Sequence, residues 1–188
     1  MEIIRFADLK AKPWRNGGGT TREILSGPAD QEGGWDWRVS IADVTKAGEF
    51  SPFDGYERVL TVVEGELLLL TVDGTERPVE KYRPFRFDGG APTSAALPTG
   101  DIRNLNVIAR NGVFKGYASV IELSKKRAQP VFGGQVAVLL QGQAVVGNGG
   151  ANATELGRYD AVAGSDESTP DVTGRGFLAV VSIDPVTD

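Results

Sequence analysis

Val62-Val63-Glu64-Gly65-Glu66-Leu67 joins two apolar runs, Arg58–Val63 and Leu67–Val72, through a short turn on Gly65. The same pattern returns as Leu139-Leu140-Gln141-Gly142-Gln143-Ala144. At nearly the same offset Lys81-Tyr82 meets Arg158-Tyr159, Asp73-Gly74 meets Gly149-Gly150, and Asn106-Val107-Ile108 meets Ala179-Val180-Val181. An apolar strand, a Gly turn, a second strand, a Gly turn and a Tyr-led strand thus occur twice in one order. Gly-punctuated strands resemble one another by composition alone, but here turns, tyrosine and closing strand keep register together. Repeats of this length, longer than a solenoid unit, point to a duplicated β-barrel or jelly roll.

The rest of the chain reads the same way. Trp35, Trp37, Val39 and Ile41 alternate with Asp36, Arg38, Ser40 and Ala42, the period of a half-buried strand. Asp73-Gly74 is a hairpin pair. Further strands fit Thr20–Ile24, Phe85–Phe87, Leu105–Ala109 and Tyr117–Ile121; Phe6–Lys10 has room for one helical turn before Pro13. The fold class is all-β. A division into residues 1–115 and 116–188 follows from the repeat, with strands open to exchange between the halves.

Composition narrows the function. The 188 residues carry 20 Lys+Arg against 25 Asp+Glu, with no histidine and no cysteine. Net negative charge without a basic block argues against a nucleic-acid partner. The absence of Cys excludes disulfides and thiolate catalysis, and the absence of His removes the commonest metal ligand and general base. A metal would need carboxylates and amides alone, and no Asp/Glu spacing suggests one, so no metal or cofactor is expected. The first residues show no signal-peptide pattern and no run reaches membrane-spanning length, so a cytoplasmic protein with no membrane partner is expected.

The segment Trp14-Arg15-Asn16-Gly17-Gly18-Gly19-Thr20-Thr21-Arg22-Glu23-Ile24 carries a binding-site vocabulary. Three glycines allow close backbone approach, yet the spacing fits neither a P-loop nor a dinucleotide fingerprint. The first half also supplies Arg38, Ser40, Arg58, Asn104 and Asn106 on its strands, whereas Val136–Gly150 is mostly Ala, Val, Gly and Gln. If one barrel holds a site, it is the first. Periodicity leaves open whether these polar faces meet water or a cavity; several guanidinium and amide groups on neighbouring strands favour a polar pocket for an anion. Glu23 reads as the partner of a nearby Arg, with an acceptor for a ligand amine as the alternative. Phe50-Ser51-Pro52-Phe53-Asp54-Gly55-Tyr56 reads equally as a lid or as a packed corner.

Four stretches resemble the HutD/Ves proteins: Trp14–Ile24, Trp35–Val44, Gly48–Arg58, and the region from Phe85-Arg86-Phe87-Asp88-Gly89 to Leu105–Ile108. The resemblance implies a bicupin, two RmlC-like cupin barrels in one body, and a link to bacterial histidine utilisation as an accessory or regulatory protein. This chain departs from the family pattern at Gly90 and Asn104, where acids are usual, which makes the site less negative.

The leading expectation is a metal-free, non-enzymatic cupin that binds a small acidic metabolite such as formylglutamate or urocanate. Arg38, Arg58 and Asn106 would clamp carboxylates, with Ser40 and Thr21 beside them. Asn16, Gly17 and Gly18 would close the site, Trp14 or Phe50 would form an apolar wall, and Glu23 would stand at its edge. The alternatives are a metal-independent isomerase or lyase using Glu23 or Tyr56, and a protein-interaction module without a ligand. Edge strands leave a homodimer open.

Overall fold

The computed structural model describes residues 1–29, 32–147 and 152–188. Strands dominate; the helical turn expected near Phe6 is a 3-10 turn, Phe6–Asp8. The chain divides into two compact units, one of Lys10–Tyr117 with Asp184–Asp188, the other of Met1–Leu9 with Ala118–Ile183. The ends therefore depart from the 115/116 division read from sequence. Glu2–Ile4 pairs antiparallel with Ala161–Ala163, which draws the first residues into the C-terminal unit. The Val186 N–H donates to the Val113 carbonyl, which holds the last residues in the N-terminal one.

Among the described residues the N-terminal unit has two antiparallel sheets. One runs Lys12–Pro13, Gly19–Ala29, Trp35–Val44, Ile102–Arg110, Tyr56–Glu64, Phe85–Asp88; the other runs Gly48–Glu49, Thr93–Ala96, Leu67–Val72, Thr75–Glu80. Val44, Leu60, Val62 and Ile102 of the first sheet share one core cluster with Leu68, Leu70, Val79 and Ala95 of the second. Two sheets closing over one apolar layer is a barrel or jelly-roll arrangement. Glu64-Gly65-Glu66 is the corner at which the chain leaves one sheet for the other, with Gly65 at φ +86°. A Cβ there would lie 2.8 Å from the Asp101 carbonyl oxygen. Asp73 and Gly74, both at positive φ, close the hairpin of Leu67–Val72 and Thr75–Glu80 as a primed turn requires.

In the C-terminal unit Gln135–Val146 is the central strand, flanked by Ala161–Ala163 and by the part of Asp171–Pro185 up to Ile183, with the part of Phe114–Glu122 from Ala118 beyond the latter. Its core includes Leu139, Val146, Val162, Val172 and Leu178. Here the Gly142 counterpart of the Gly65 corner lies within one continuous strand. It sits at φ +96°, and a Cβ would lie 2.0 Å from the Arg175 carbonyl oxygen.

The tyrosines lead no strand. Tyr82 and Tyr159 lie in turns at φ +64° and +67°, a conformation uncommon outside glycine. Tyr82 N–H donates to the Val62 carbonyl, and Tyr159 N–H donates to the Leu139 carbonyl. The side chains of Lys81 and Arg158 each reach over the neighbouring ring at 4.9 Å. Gly149-Gly150, read as the counterpart of Asp73-Gly74, lies outside the described residues.

Candidate functional site

The inner face of the six-stranded sheet carries the polar groups, so the question that periodicity left open is decided by register. Arg38 and Arg58 both pair with Ile108, one from each side. Two residues along, Ser40 pairs with Asn106, which pairs with Leu60; two further on, Thr21 pairs with Ala42, Ala42 with Asn104, and Asn104 with Val62. Strands stand about 4.8 Å apart, so the two arginine backbones are about 10 Å from each other across Ile108. These rows line a cavity of about 440 Å³, together with Glu49, Phe50, Ser51, Pro52 and Phe53 and with Trp14, Arg15 and Asn16.

The arginines are held without carboxylates. Arg38 lies 4.7 Å from the Trp35 ring and 5.5 Å from Phe53; Arg58 is flanked by Phe50, Phe53 and Phe87 at 5.2 to 5.4 Å. Such cation–π contacts fix a guanidinium and leave its charge unneutralised. Among the described residues no carboxylate ion-pairs with either. Burial, and then repulsion from Arg38, push the Arg58 guanidinium down to about 10. Burial also lowers Arg38, with the Glu23 charge opposing the shift. The Nε atoms of both arginines are buried with no hydrogen-bond partner within the protein.

The amides extend this donor surface. Arg58 Nη2 donates to Asn106 Oδ1 at 3.2 Å, and Asn106 Nδ2 donates to Asn104 Oδ1. Asn104 Nδ2 is buried and unpartnered. Arginine has no acceptor, so the chain of bonds starts on a donor and ends on one. Three guanidiniums against the single carboxylate of Glu49 make the lining a net cationic, donor-rich surface.

Trp14, Asn16, Thr21, Arg38, Ser40, Phe50, Arg58 and Asn106 therefore come together on one cavity, whereas Gly17, Gly18 and Glu23 do not line it. The glycine segment serves the protein itself. Gly17 N–H donates to the Trp14 carbonyl and Gly18 N–H to Asn16 Oδ1, so neither amide faces a ligand. A Cβ on Gly19 would lie 2.2 Å from the Asp43 carbonyl oxygen and 3.2 Å from the Trp14 indole, so this residue lets two strands cross closely. Asn16 also donates from Nδ2 to the Glu49 carbonyl, tying the loop to the cavity rim. Trp14 Nε1 donates to Thr21 Oγ1, leaving the Thr21 hydroxyl hydrogen to be donated onward. Arg22 pairs with Asp43 instead of the cavity, and Glu23 is exposed, acting on Arg38 only through its charge.

Of the lining residues, Arg15, Ala42, Glu49 and Ile108 are not among the ligand contacts expected from sequence; Ser51, Pro52 and Phe53 belong to the loop read as a lid or packed corner, and Asn104 to the polar groups read as favouring a pocket without being named a contact. Asn104 shares a face with Asn106 two residues away, a signal that was present. The aromatic loop is a wall more than a free flap: Phe50 N–H donates to the Thr93 carbonyl and Phe53 N–H to the Gly89 carbonyl. Among the described residues no cluster of three or more Asp and Glu stands where it could hold a metal. No described helix is long and apolar enough to cross a membrane.

The HutD family profile matches residues 6–180. The chain belongs to the HutD family. It is 40% identical over 109 residues to an uncharacterised 21.2 kDa protein of the hutC 3′ region of Pseudomonas putida, covering 57% of each chain. It is 36% identical over 124 residues to the protein Ves of Citrobacter koseri, covering 65% of this chain and 64% of Ves. The alignments thus span less than two thirds of the length of these curated relatives. In three dimensions it is similar to HutD from Pseudomonas fluorescens SBW25 (formate condition), with TM-score 0.82, 31% identity and 99% of both chains covered. A cupin barrel protein from Leptotrichia buccalis shares the fold at TM-score 0.63 and 9% identity, covering 97% of this chain and 96% of that one. The HutD-family chain therefore has a cupin-like β fold.

Proposed function

We propose that this HutD-family protein is a duplicated cupin whose N-terminal barrel binds a small carboxylate-bearing metabolite without a metal and without turning it over. The observation that carries the reading is the pair of guanidiniums without a carboxylate partner, Arg58 buried and Arg38 half-buried with its Nε shielded, on a cavity of metabolite size. Desolvated donors without partners carry a free-energy penalty that an anion removes, since charge-assisted hydrogen bonds are stronger in a low-dielectric site. The matching turns at Tyr82 and Tyr159, each closed by the same backbone bond, support the duplication.

The enzymatic alternative named Glu23 and Tyr56 as proton carriers. Neither lines the cavity, and the Tyr56 hydroxyl donates to the Trp35 carbonyl at 2.8 Å. A cavity of about 440 Å³ is within the range of small-molecule sites, which disfavours a filled interaction module. The name of the Pseudomonas putida relative places that protein beside hutC. On this basis the ligand is an acid of histidine breakdown, such as formylglutamate or urocanate, and its binding adjusts the level of that pathway in the cytoplasm.

A thermal-shift and calorimetric series with N-formylglutamate, urocanate and glutarate tests the reading. An acid that binds only the native state raises the melting temperature with the logarithm of its concentration over Kd. If none of these acids, nor any other dicarboxylate, raises it, the reading fails.

A further inference from the structure

The relay that begins on Arg58 has a defined polarity, and its far end faces the same cavity. Arg58 can only donate, so Asn106 must turn Oδ1 toward it. That turns Asn106 Nδ2 toward Asn104, which must accept through Oδ1. Asn104 is thereby left with Nδ2 as its outward group, and this atom is buried with no partner within the protein. The side chain is fully buried, and Asn104 and its neighbour in register, Ala42, whose side chain is a single methyl, both line the cavity. An amide flip of Asn104 that would present oxygen instead is blocked through Asn106, whose Nδ2 needs an acceptor because its Oδ1 is held by Arg58.

Resting on the proposed anion-binding reading, we infer that Asn104 is a specificity-determining residue that selects ligands carrying a hydrogen-bond acceptor, and rejects those carrying an N–H, at the point facing Ala42. An unpaired buried donor is penalised, and meeting it with a second donor adds electrostatic repulsion. A keto or carboxylate oxygen satisfies it. An ammonium group at the same place cannot.

The test uses two probes of one carbon skeleton, 2-oxoglutarate and L-glutamate, with glutarate as the plain dicarboxylate. Wild-type protein is expected to bind 2-oxoglutarate more tightly than L-glutamate. Asn104→Asp replaces the outward donor with an acceptor of the same size, and the ratio of the two Kd values is expected to move toward L-glutamate by about tenfold or more. Asn104→Ala, which keeps neither group, is expected to bring the ratio toward the value set by the carboxylates alone, and serves if the aspartate variant does not fold.

A ratio unchanged in both variants, with both ligands weakened alike, overturns the inference and assigns Asn104 a structural part only. Binding of glutarate by the wild type without binding of either probe also overturns it, while leaving the anion-binding reading standing. If no dicarboxylate binds the wild type, the reading falls and the inference with it.

Discussion

The two units differ in how far their buried polar groups are satisfied. In the C-terminal unit Asp160 is the buried charged residue among the described side chains, and it is saturated: it accepts from Arg5, from the Phe6 N–H and from the Gly157 N–H. In the N-terminal unit Ser40, Arg58, Thr61, Thr93, Asn104 and Asn106 are buried, and the atoms without partners, on Arg38, Arg58, Thr61 and Asn104, all belong to it. The C-terminal unit has a cavity of similar size, about 430 Å³, but one lysine and one glutamate line it beside Gln143 and Thr173, with no buried charge. Volume therefore does not mark the site. On the proposed reading, unpartnered buried donors that line the cavity do, on Arg38, Arg58 and Asn104; Thr61 is unpartnered too but does not line it.

Removing the charge at the centre of that contrast is the harshest test. Arg58→Met keeps the side chain long and apolar among Phe50, Phe53 and Phe87. Anion binding measured by calorimetry is expected to weaken by about 2–5 kcal/mol. Without anion, the melting temperature is expected to hold or rise, because an unpaired buried charge has been removed. Unchanged affinity would erase the distinction between the units.

The pH dependence of binding comes next. Arg58 loses its proton near 10 because burial and then Arg38 disfavour its charge. Affinity for a dicarboxylate is expected to be flat from pH 7 to 9 and to fall by about tenfold per pH unit above the Arg58 value. The folded protein releases this proton before the unfolded chain does, so without ligand its stability relative to Arg58→Met rises as pH passes 10. A binding profile flat to pH 11 would remove Arg58 from the site.

For the C-terminal unit the expected effect is on stability alone. At Asp160 desolvation raises the pKa, but the bonds from Phe6, Arg5 and Gly157 outweigh it, so the carboxyl lies below its ordinary 3.8. Its contribution is complete above that value and is lost as pH falls through the native one. Asp160→Asn is expected to lower stability by about 1–3 kcal/mol at pH 7 in denaturant titration, with the difference shrinking in acid. Anion affinity should not change, and a parallel loss of binding would show that the site depends on this turn.

The smallest expected effect belongs to Glu23. Its exposed charge opposes the positive field at Arg38. Glu23→Gln is expected to tighten anion binding by no more than about threefold, fading as salt is raised. A loss of binding would instead make Glu23 a direct ligand contact.

Much of the fold was legible in short-range chemistry. Asp73-Gly74 and Gly65 announced their turns, and alternation in Asp36–Ala42 announced a strand, because each depends on local backbone and side-chain preference. The units' ends were not legible, since the pairing of Glu2–Ile4 with Ala161–Ala163 joins segments far apart in the chain. Candidate residues on strands, Arg38, Ser40, Arg58 and Asn106, do meet on one cavity, because a shared face plus strand adjacency is nearly sufficient to bring them there. The glycine run misled for the converse reason. Its small size answers the Asp43 carbonyl and the Trp14 indole, and nothing in Gly17-Gly18-Gly19 itself tells an internal close approach from a ligand's.

The most direct measurement follows the arginine Nε–H resonances by NMR as glutarate or N-formylglutamate is added to the wild-type protein. The Arg38 and Arg58 signals are expected to shift together and saturate, while backbone amides of Lys125, Gln143 and Thr173 around the other cavity stay in place. Saturable shifts confined to the C-terminal cavity, or arginine signals unmoved by a bound acid, would contradict the proposed anion site.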